Sequence, residues 1–255
     1  MKLEGKNALV TGSDQGIGQA VALALGEQGA DVVVTYRRNR EGAEATRDLV
    51  RKMGRNCAVI QADVADLSSA RKLVEESVAA LSEVDILVNN AGVEKRASFL
   101  DVTEQDYAEV IQVDMTAPFF IAQSFVRRLV DRKRPGKLIN ISSVHEELPF
   151  PHFTPYCMAK GGLKMMMRNL AIELGPCGIT VNNIAPGAIE TPINKALMGD
   201  PKLLAAVLQN IPLRRIGQSA DVAAVAAFLA SPDADYITGA TIVVDGGLLW
   251  NYSEQ

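Results

Sequence analysis

The stretch Asn7-Ala-Leu-Val-Thr-Gly-Ser-Asp-Gln-Gly-Ile-Gly18 decides how this chain folds. Its first part, Asn7 to Thr11, is a short β-rich apolar run. Glycines follow at 12, 16 and 18, then an amphipathic pattern with Ala20, Val21, Ala24 and Leu25 apolar and Glu27 and Gln28 polar. Strand, glycine turn and helix in that order are the context in which a glycine cluster reads as a phosphate cradle. Glycines allow a tight turn and close approach of backbone to a pyrophosphate, while the helix N-terminus offers unpaired N–H groups and a positive dipole end. An ordinary strand-to-helix turn needs one glycine, not three. A dinucleotide is therefore the expected ligand of Gly12, Ser13, Gln15, Gly16, Ile17 and Gly18. The spacing G-x-x-x-G-x-G does differ from the commoner G-x-G-x-x-G.

Outward from this turn, strand-like apolar runs at 8–11, 32–36, 57–61, 86–89, 138–141, 180–184 and 242–244 alternate with helix-period segments. The helical segments are 17–28, 41–52, 68–81, 104–132, 156–174 and 221–230. This alternation, with strands rich in Val, Ile and Leu throughout, predicts an α/β fold with a parallel sheet covered on both faces. Right-handed crossovers make it doubly wound, so a ligand belongs beyond the carboxyl ends of the strands.

No linker, low-complexity tract or charge block divides the 255 residues, which predicts a single domain over 1–255. A net charge of −4 gives no reason to expect nucleic acid as a partner. No signal-peptide core and no long uncharged apolar run is present, so a cytoplasmic protein without a membrane partner is expected. Cys57, Cys157 and Cys177 have neither disulfide nor metal-ligand spacing, and no metal is expected. Residues 245–247, Asp-Gly-Gly, read as a turn before a tail, 248–255, able to reach a neighbouring subunit.

A second feature is Tyr156-Cys-Met-Ala-Lys160. Positions i and i+4 share one helix face, so a phenol and an ammonium stand side by side. A phenol titrates near ~10 and serves as a base at neutral pH only if a cation stabilises its phenolate. Lys160 is placed to do that, helped by a positively charged ring of the bound ligand.

Taken together, Thr11-Gly12-x-x-x-Gly16-x-Gly18, Asn89-Asn90-Ala91-Gly92, Ser143, Tyr156-x-x-x-Lys160 and Pro186-Gly187-x-x-x-Thr191 resemble the short-chain dehydrogenase/reductase family over residues 5 to about 247. The segments 140–146, 182–194 and 223–231 look most like bacterial glucose 1-dehydrogenases. The resemblance implies a Rossmann-type, seven-stranded subunit that assembles as a homotetramer through the helices near 104–132 and 156–174. It also implies hydride transfer between a nicotinamide cofactor and a small-molecule alcohol or carbonyl.

In that family Tyr156 would be the general acid/base, Ser143 a hydrogen-bond donor to the substrate oxygen, and Lys160 a modulator of Tyr156 that also holds the ribose. The matching position for the family's catalytic asparagine is Asp114. An ionised Asp only accepts hydrogen bonds where Asn also donates, so a changed pH profile is expected. The acidic residue that would select NAD after the second strand is replaced by Tyr36, Arg37 and Arg38, and the two arginines predict NADP as preferred cofactor with NAD possible. Asp63 and Val64 are expected at the adenine, Asn89 at the adenosine ribose, with Asn90, Ala91 and Gly92 beside it. Pro186, Gly187, Ile189 and Thr191 are expected near the nicotinamide. Within a substrate region about 186–215, and near other strand ends, Asn194, Glu94 and His145 suit sugar hydroxyls.

Two rivals stand beside this reading. The basic run Arg127, Arg128, Arg132, Lys133, Arg134 and Lys137 could dock an acidic carrier protein, making the chain a 3-oxoacyl reductase. A non-catalytic NADP-sensing module is the other. A serine hydrolase lacks its Gly-x-Ser-x-Gly elbow here.

Overall fold

The computed structural model describes residues 1–251. Seven strands form one parallel sheet: β1 (Asn7–Val10), β2 (Asp31–Tyr36), β3 (Cys57–Gln61), β4 (Ile86–Asn89), β5 (Gly136–Ile141), β6 (Ile179–Pro186) and β7 (Thr241–Val244). Their order across the sheet is β3-β2-β1-β4-β5-β6-β7, and every pairing is parallel. Period-two alternation sends Ala8, Val10, Val32 and Val34 into one core and Leu9 and Val33 into the other. Helices α1 (Gly16–Glu27), α2 (Arg40–Lys52) and α9 (Ser219–Ala230) cover the first face. The second is covered by α3 (Leu67–Leu81), α5 (Ala117–Asp131) and α6 (Thr154–Leu174). Burial on both faces is why the strands read as continuous apolar runs.

The chain walks outward from β1 to β3, then crosses back to place β4 on the other side of β1. Loops leaving β1 and β4 therefore part in opposite directions, and the crevice between them is where such sheets bind ligands.

Two expectations are corrected. The segment 104–132 is not one helix but α4 (Glu104–Ile111) and α5, joined by a π-helical turn over Gln112–Thr116 in which the Ala117 N–H reaches back five residues to the Gln112 carbonyl. Pro118 has no N–H to offer the Asp114 carbonyl four residues earlier, so the α-helical ladder cannot run through this point. The widened turn carries Asp114 into the protein, where it is fully buried. The second correction lies in the 186–215 region, which contains two helices, α7 (Lys195–Met198) and α8 (Pro201–Asn210). Asp200 caps α8 by accepting from the Lys202 and Leu203 amides at 2.9 and 3.1 Å, and Pro201 opens its first turn.

Asp245 makes the predicted turn, accepting from the Gly247 and Leu249 amides at 2.8 and 2.6 Å. Residues 252–255 of the tail lie outside the described residues. Among the described residues no helix is long and apolar enough to cross a membrane.

Candidate active site

The glycine loop is built by backbone geometry that side chains would block. Gly12 has φ +60°, and a Cβ there would lie 3.1 Å from the Ala91 Cα. At Gly18 a Cβ would fall 2.2 Å from the Gly12 carbonyl oxygen and 2.4 Å from Asn90 Nδ2. Thr11 and Asn90 lock the loops after β1 and β4 together. The Asn90 and Ala91 amides donate to Thr11 Oγ1 at 2.8 and 3.0 Å. Asn90 Nδ2 donates to the carbonyls of Thr11 and Gly12, both at 2.8 Å.

These loops open onto a cavity of about 710 Å³. Of the residues expected at the cofactor, Gly12, Gln15, Gly16, Ile17, Gly18, Arg37, Arg38, Asp63, Val64, Asn90, Ala91, Gly92, Pro186, Gly187, Ile189 and Thr191 line it. Ser13 and Asn89 do not line it. Ser13 is buried, donating to the Val10 carbonyl at 2.8 Å and accepting from the Thr35 amide at 3.0 Å, so it shapes the loop from behind. Asn89 is also buried, its amide spent on Asn140 at 3.0 Å. As the last residue of β4 it points into the sheet layer, and the residue that reaches the crevice is the next one, Asn90. Asp14 and Asn39 line the same wall, and sequence reasoning had missed both. Asp14 sits inside the glycine motif itself, which was the available signal. Arg37 leans on Glu109 at 3.8 Å and remains about a third exposed.

The chemistry-bearing residues meet at the other end of this cavity. Ser143, Tyr156, Lys160 and Asp114 all line it, with Glu94, His145 and Asn194 nearby. Tyr156 and Lys160 come from successive turns of α6, and Ser143 leaves the end of β5. Lys160 Nζ stands 5.3 Å from the centre of the Tyr156 ring and donates to the Ile141 carbonyl at 3.3 Å. Asp114 Oδ1 accepts from the Val93 amide at 2.8 Å, and its Oδ2 meets Lys160 Nζ at 3.3 Å. Among the described residues that oxygen has no well-aligned hydrogen bond, and the Lys160 charge beside it compensates its burial.

Burial is the first influence on every titration here. It pushes the Tyr156 phenol above its ordinary value, and Asp114 and Glu94 push the same way, while Lys160 and a hydrogen bond with Ser143 oppose them. In the chain by itself burial outweighs Lys160, contrary to the simple expectation from the Tyr–Lys pair. Burial also opposes the Lys160 charge, but Asp114 and Tyr156 overcome it and hold the ammonium above its usual range. Asp114 is raised by burial against the pull of Lys160 and the Val93 amide. Burial raises Glu94, helped by Asp114.

His145 is lowered by burial and is neutral at pH 7. Its Nδ1 faces the Leu148 carbonyl at 3.0 Å, so Nδ1 carries the proton and Nε2 is left as acceptor. The ring stacks on Phe150 with centroids 4.1 Å apart. Asn194 donates to the Ile189 carbonyl at 2.8 Å, which leaves its carbonyl oxygen for another partner. Leu148, Pro149, Phe150, Leu197, Val207 and Leu248 add an apolar wall that motif reading had not found.

The basic run lies elsewhere. Arg128 and Arg132 pair with Glu83 at 2.7 and 3.1 Å, Arg134 with Asp85 and Lys137 with Asp235, both at 2.6 Å. Asp85 immediately precedes β4 and Lys137 is the second residue of β5, so these charges sit at the amino ends of the strands, at the opposite end of the sheet from the cavity. Four of the six cations, Arg128, Arg132, Arg134 and Lys137, are thus engaged by carboxylates at the end of the sheet opposite Tyr156.

A family model described as enoyl-(acyl carrier protein) reductase matches residues 12–249. The chain is 42% identical to 3beta-hydroxysteroid dehydrogenase 1 of Eggerthella lenta over 96% of this chain and 94% of that one. It is 37% identical to the glucose 1-dehydrogenase of Gluconobacter oxydans over 97% and 93% of the two chains. Among solved structures, a gluconate 5-dehydrogenase from Burkholderia cenocepacia in complex with NADP and tartrate superposes with a TM-score of 0.92, at 35% identity and 98% coverage of both chains. With the glycine cradle, the switch-point cavity and the Ser–Tyr–Lys row already in place, these similarities put the chain in the short-chain dehydrogenase/reductase family of NAD(P)-dependent oxidoreductases.

Proposed function

We propose that the chain is an NADP-preferring dehydrogenase that oxidises a secondary or hemiacetal alcohol, in the first instance a sugar, with Tyr156 as acid/base. The observation carrying this is the placement of Ser143, Tyr156 and Lys160 in one cavity with the glycine loop. The residues fit a dinucleotide: the cradle at Gly12 and Gly18 leaves no room for side chains, and Arg37 and Arg38 stand where a 2′-phosphate is read. When bound, the nicotinamide supplies the hydride acceptor and, oxidised, a positive ring beside the phenol.

Each side chain then has a defined task. Ser143 orients the substrate oxygen by hydrogen bonding. Tyr156 takes the hydroxyl proton in oxidation and returns it in reduction. Lys160, kept charged by Asp114, favours the phenolate. His145 Nε2 and the Asn194 carbonyl oxygen accept from substrate hydroxyls, and Glu94 offers a carboxylate at the same end of the cavity. A homotetramer accords with the apolar side chains that remain exposed on α5 and α6, among them Phe119, Val130, Met158, Met165 and Ile172. Sedimentation equilibrium checks this. Unpaired Cys57, Cys157 and Cys177 are in keeping with a reducing cytoplasm.

A second reading takes a larger apolar alcohol, such as a 3β-hydroxysteroid. The Leu148–Phe150 wall with Leu197, Val207 and Leu248 favours it.

The test is nicotinamide reduction with NADP⁺ or NAD⁺ against glucose, gluconate and a 3β-hydroxysteroid, with NADPH oxidation by an acetoacetyl thioester in parallel. Turnover of a sugar supports the first reading, and turnover of the steroid alone supports the second. Cofactor binding with no turnover anywhere indicates a sensing module. In the productive assay, Tyr156→Phe loses about 10²–10⁴-fold in kcat while cofactor affinity and Tm hold. A parental rate in that variant ends the mechanism.

A further inference from the structure

Three residues beyond Ser143, and outside the roles above, Glu146 puts a carboxylate into the protein with its side chain only 1% exposed. Three donors converge on it. Asn183 Nδ2 reaches Oε2 at 3.0 Å, Thr241 Oγ1 reaches Oε1 at 2.8 Å, and Lys164 Nζ stands 3.5 Å from Oε1. Asn183 is the last step of a ladder that crosses three strands. Asn89 donates to Asn140 at 3.0 Å, and Asn140 donates to Asn183 at 2.9 Å. Asn89, Asn140, Asn183 and Thr241 are register partners on β4, β5, β6 and β7.

We propose that Glu146 is the positioning residue of the active-site loop, fixing Ser143 against Tyr156. This inference rests on the catalytic reading of those two residues given above. Both Glu146 oxygens meet donors, so the carboxylate sets the direction of the whole ladder. Every amide donates toward Glu146, and the far end is left with Asn89 Oδ1, buried and without a hydrogen-bond partner among the described residues. The backbone carries the constraint on to the catalytic serine, because the Glu146 amide donates to the Ser143 carbonyl at 3.0 Å. Lys164 lies two helical turns after Tyr156 and one after Lys160, on the same face of α6. Its pairing with Glu146, reinforced by a close ion pair to Glu147, ties the loop to the helix that holds the base. Ser143 thus approaches Tyr156 from a loop anchored on one side to the sheet and on the other to α6.

The deciding variant is Glu146→Gln. A glutamine amide either faces Asn183 Nδ2, which forces the ladder to reverse, or faces Thr241 and Lys164, which gives up the Lys164 contact that ties the loop to α6. We expect kcat, per NADPH-binding site counted by fluorescence titration, to fall about tenfold or more through misplacement of the serine. The Kd for NADPH stays within about twofold. Lys164→Met cuts only the tie to α6, is expected to lower kcat in the same direction, and answers the question should Glu146→Gln not fold. A purely structural role would lower Tm and leave kcat per binding site within about twofold of the parent. That outcome overturns the proposal. Failure of the underlying mechanism shows separately, as a Tyr156→Phe variant turning over at the parental rate.

Discussion

On the β1–β4 side of the cavity, Thr11, Ser13, Thr35 and Asn90 close their polar groups onto one another, and Thr11, Ser13 and Thr35 are buried. Across from them α8 contributes no buried residue, although Val207 and Asn210 line the same cavity. One wall is held by interlocked hydrogen bonds beneath a parallel sheet. The other rests on a few half-buried apolar side chains over the opening. A pyrophosphate demands fixed N–H directions, which the first wall supplies, whereas discrimination among alcohols needs only shape and scattered polar contacts. On the proposed function, the rigid wall would set the cofactor and the shallow one the substrate.

Gly18→Ala should break the contrast most severely. Its methyl would meet the Gly12 carbonyl at 2.2 Å, and both are fixed backbone, so we expect a stability loss of about 1–3 kcal/mol and no measurable cofactor binding. Chemical denaturation and NADPH fluorescence read this. An unchanged Kd would show that the loop yields more than its bonding implies.

Arg37→Ala removes a guanidinium from the cavity without touching the locked bonds. The KM for NADP⁺ should rise about tenfold, as expected for one charge-assisted contact, with NAD⁺ barely affected. Equal effects on both cofactors would refute a 2′-phosphate role.

Asp114→Asn probes the seam where the walls meet. The Asp114 charge raises the Tyr156 pKa, opposing the phenolate directly. Oxidation needs the phenolate, so its rate climbs as pH rises through that pKa. Over the pH range in which Lys160 stays protonated, neutralising Asp114 lowers the Tyr156 pKa and should move the ascending limb of kcat/KM to lower pH. A superimposable profile would mean that the carboxylate is not felt at the base.

The smallest effect is expected from Val207→Ala on the shallow wall. Substrate KM should change by a few-fold while Tm stays within the scatter of surface substitutions, about 0.5 kcal/mol in stability terms. Amide exchange offers a complementary check, with α8 amides expected to exchange well before those of β1 and β4. Slow exchange in α8 would erase the distinction between the walls.

What could be read from the chain follows the same division. The glycine loop, the alternating strands and the Tyr–Lys pair were legible because each depends on residues close in sequence. Gly12 and Gly16 satisfy a local φ requirement, the strands a period of two, and the pair a single helical turn. Asn89 shows the limit of such reading: it belongs to the right motif, but the pleat at the end of β4 turns it into the sheet and hands the crevice to Asn90. The break at Gln112–Thr116 had its clue in Pro118, yet an amphipathic pattern running through it masked the turn. The basic run looked like a surface until Glu83, Asp85 and Asp235 were seen against it.

By itself, the sequence determined the α/β class, the succession of strands and helices along the chain and the candidate groups for moving a proton. Only the tertiary structure decided which face each of those groups presents, that Asp114 is buried against Lys160, and that Glu146 receives donors from α6, β6 and β7. The reason is physical. Dihedral preference and side-chain period act over a few residues, whereas burial and hydrogen-bond partnership arise between segments as far apart as Glu146 and Thr241.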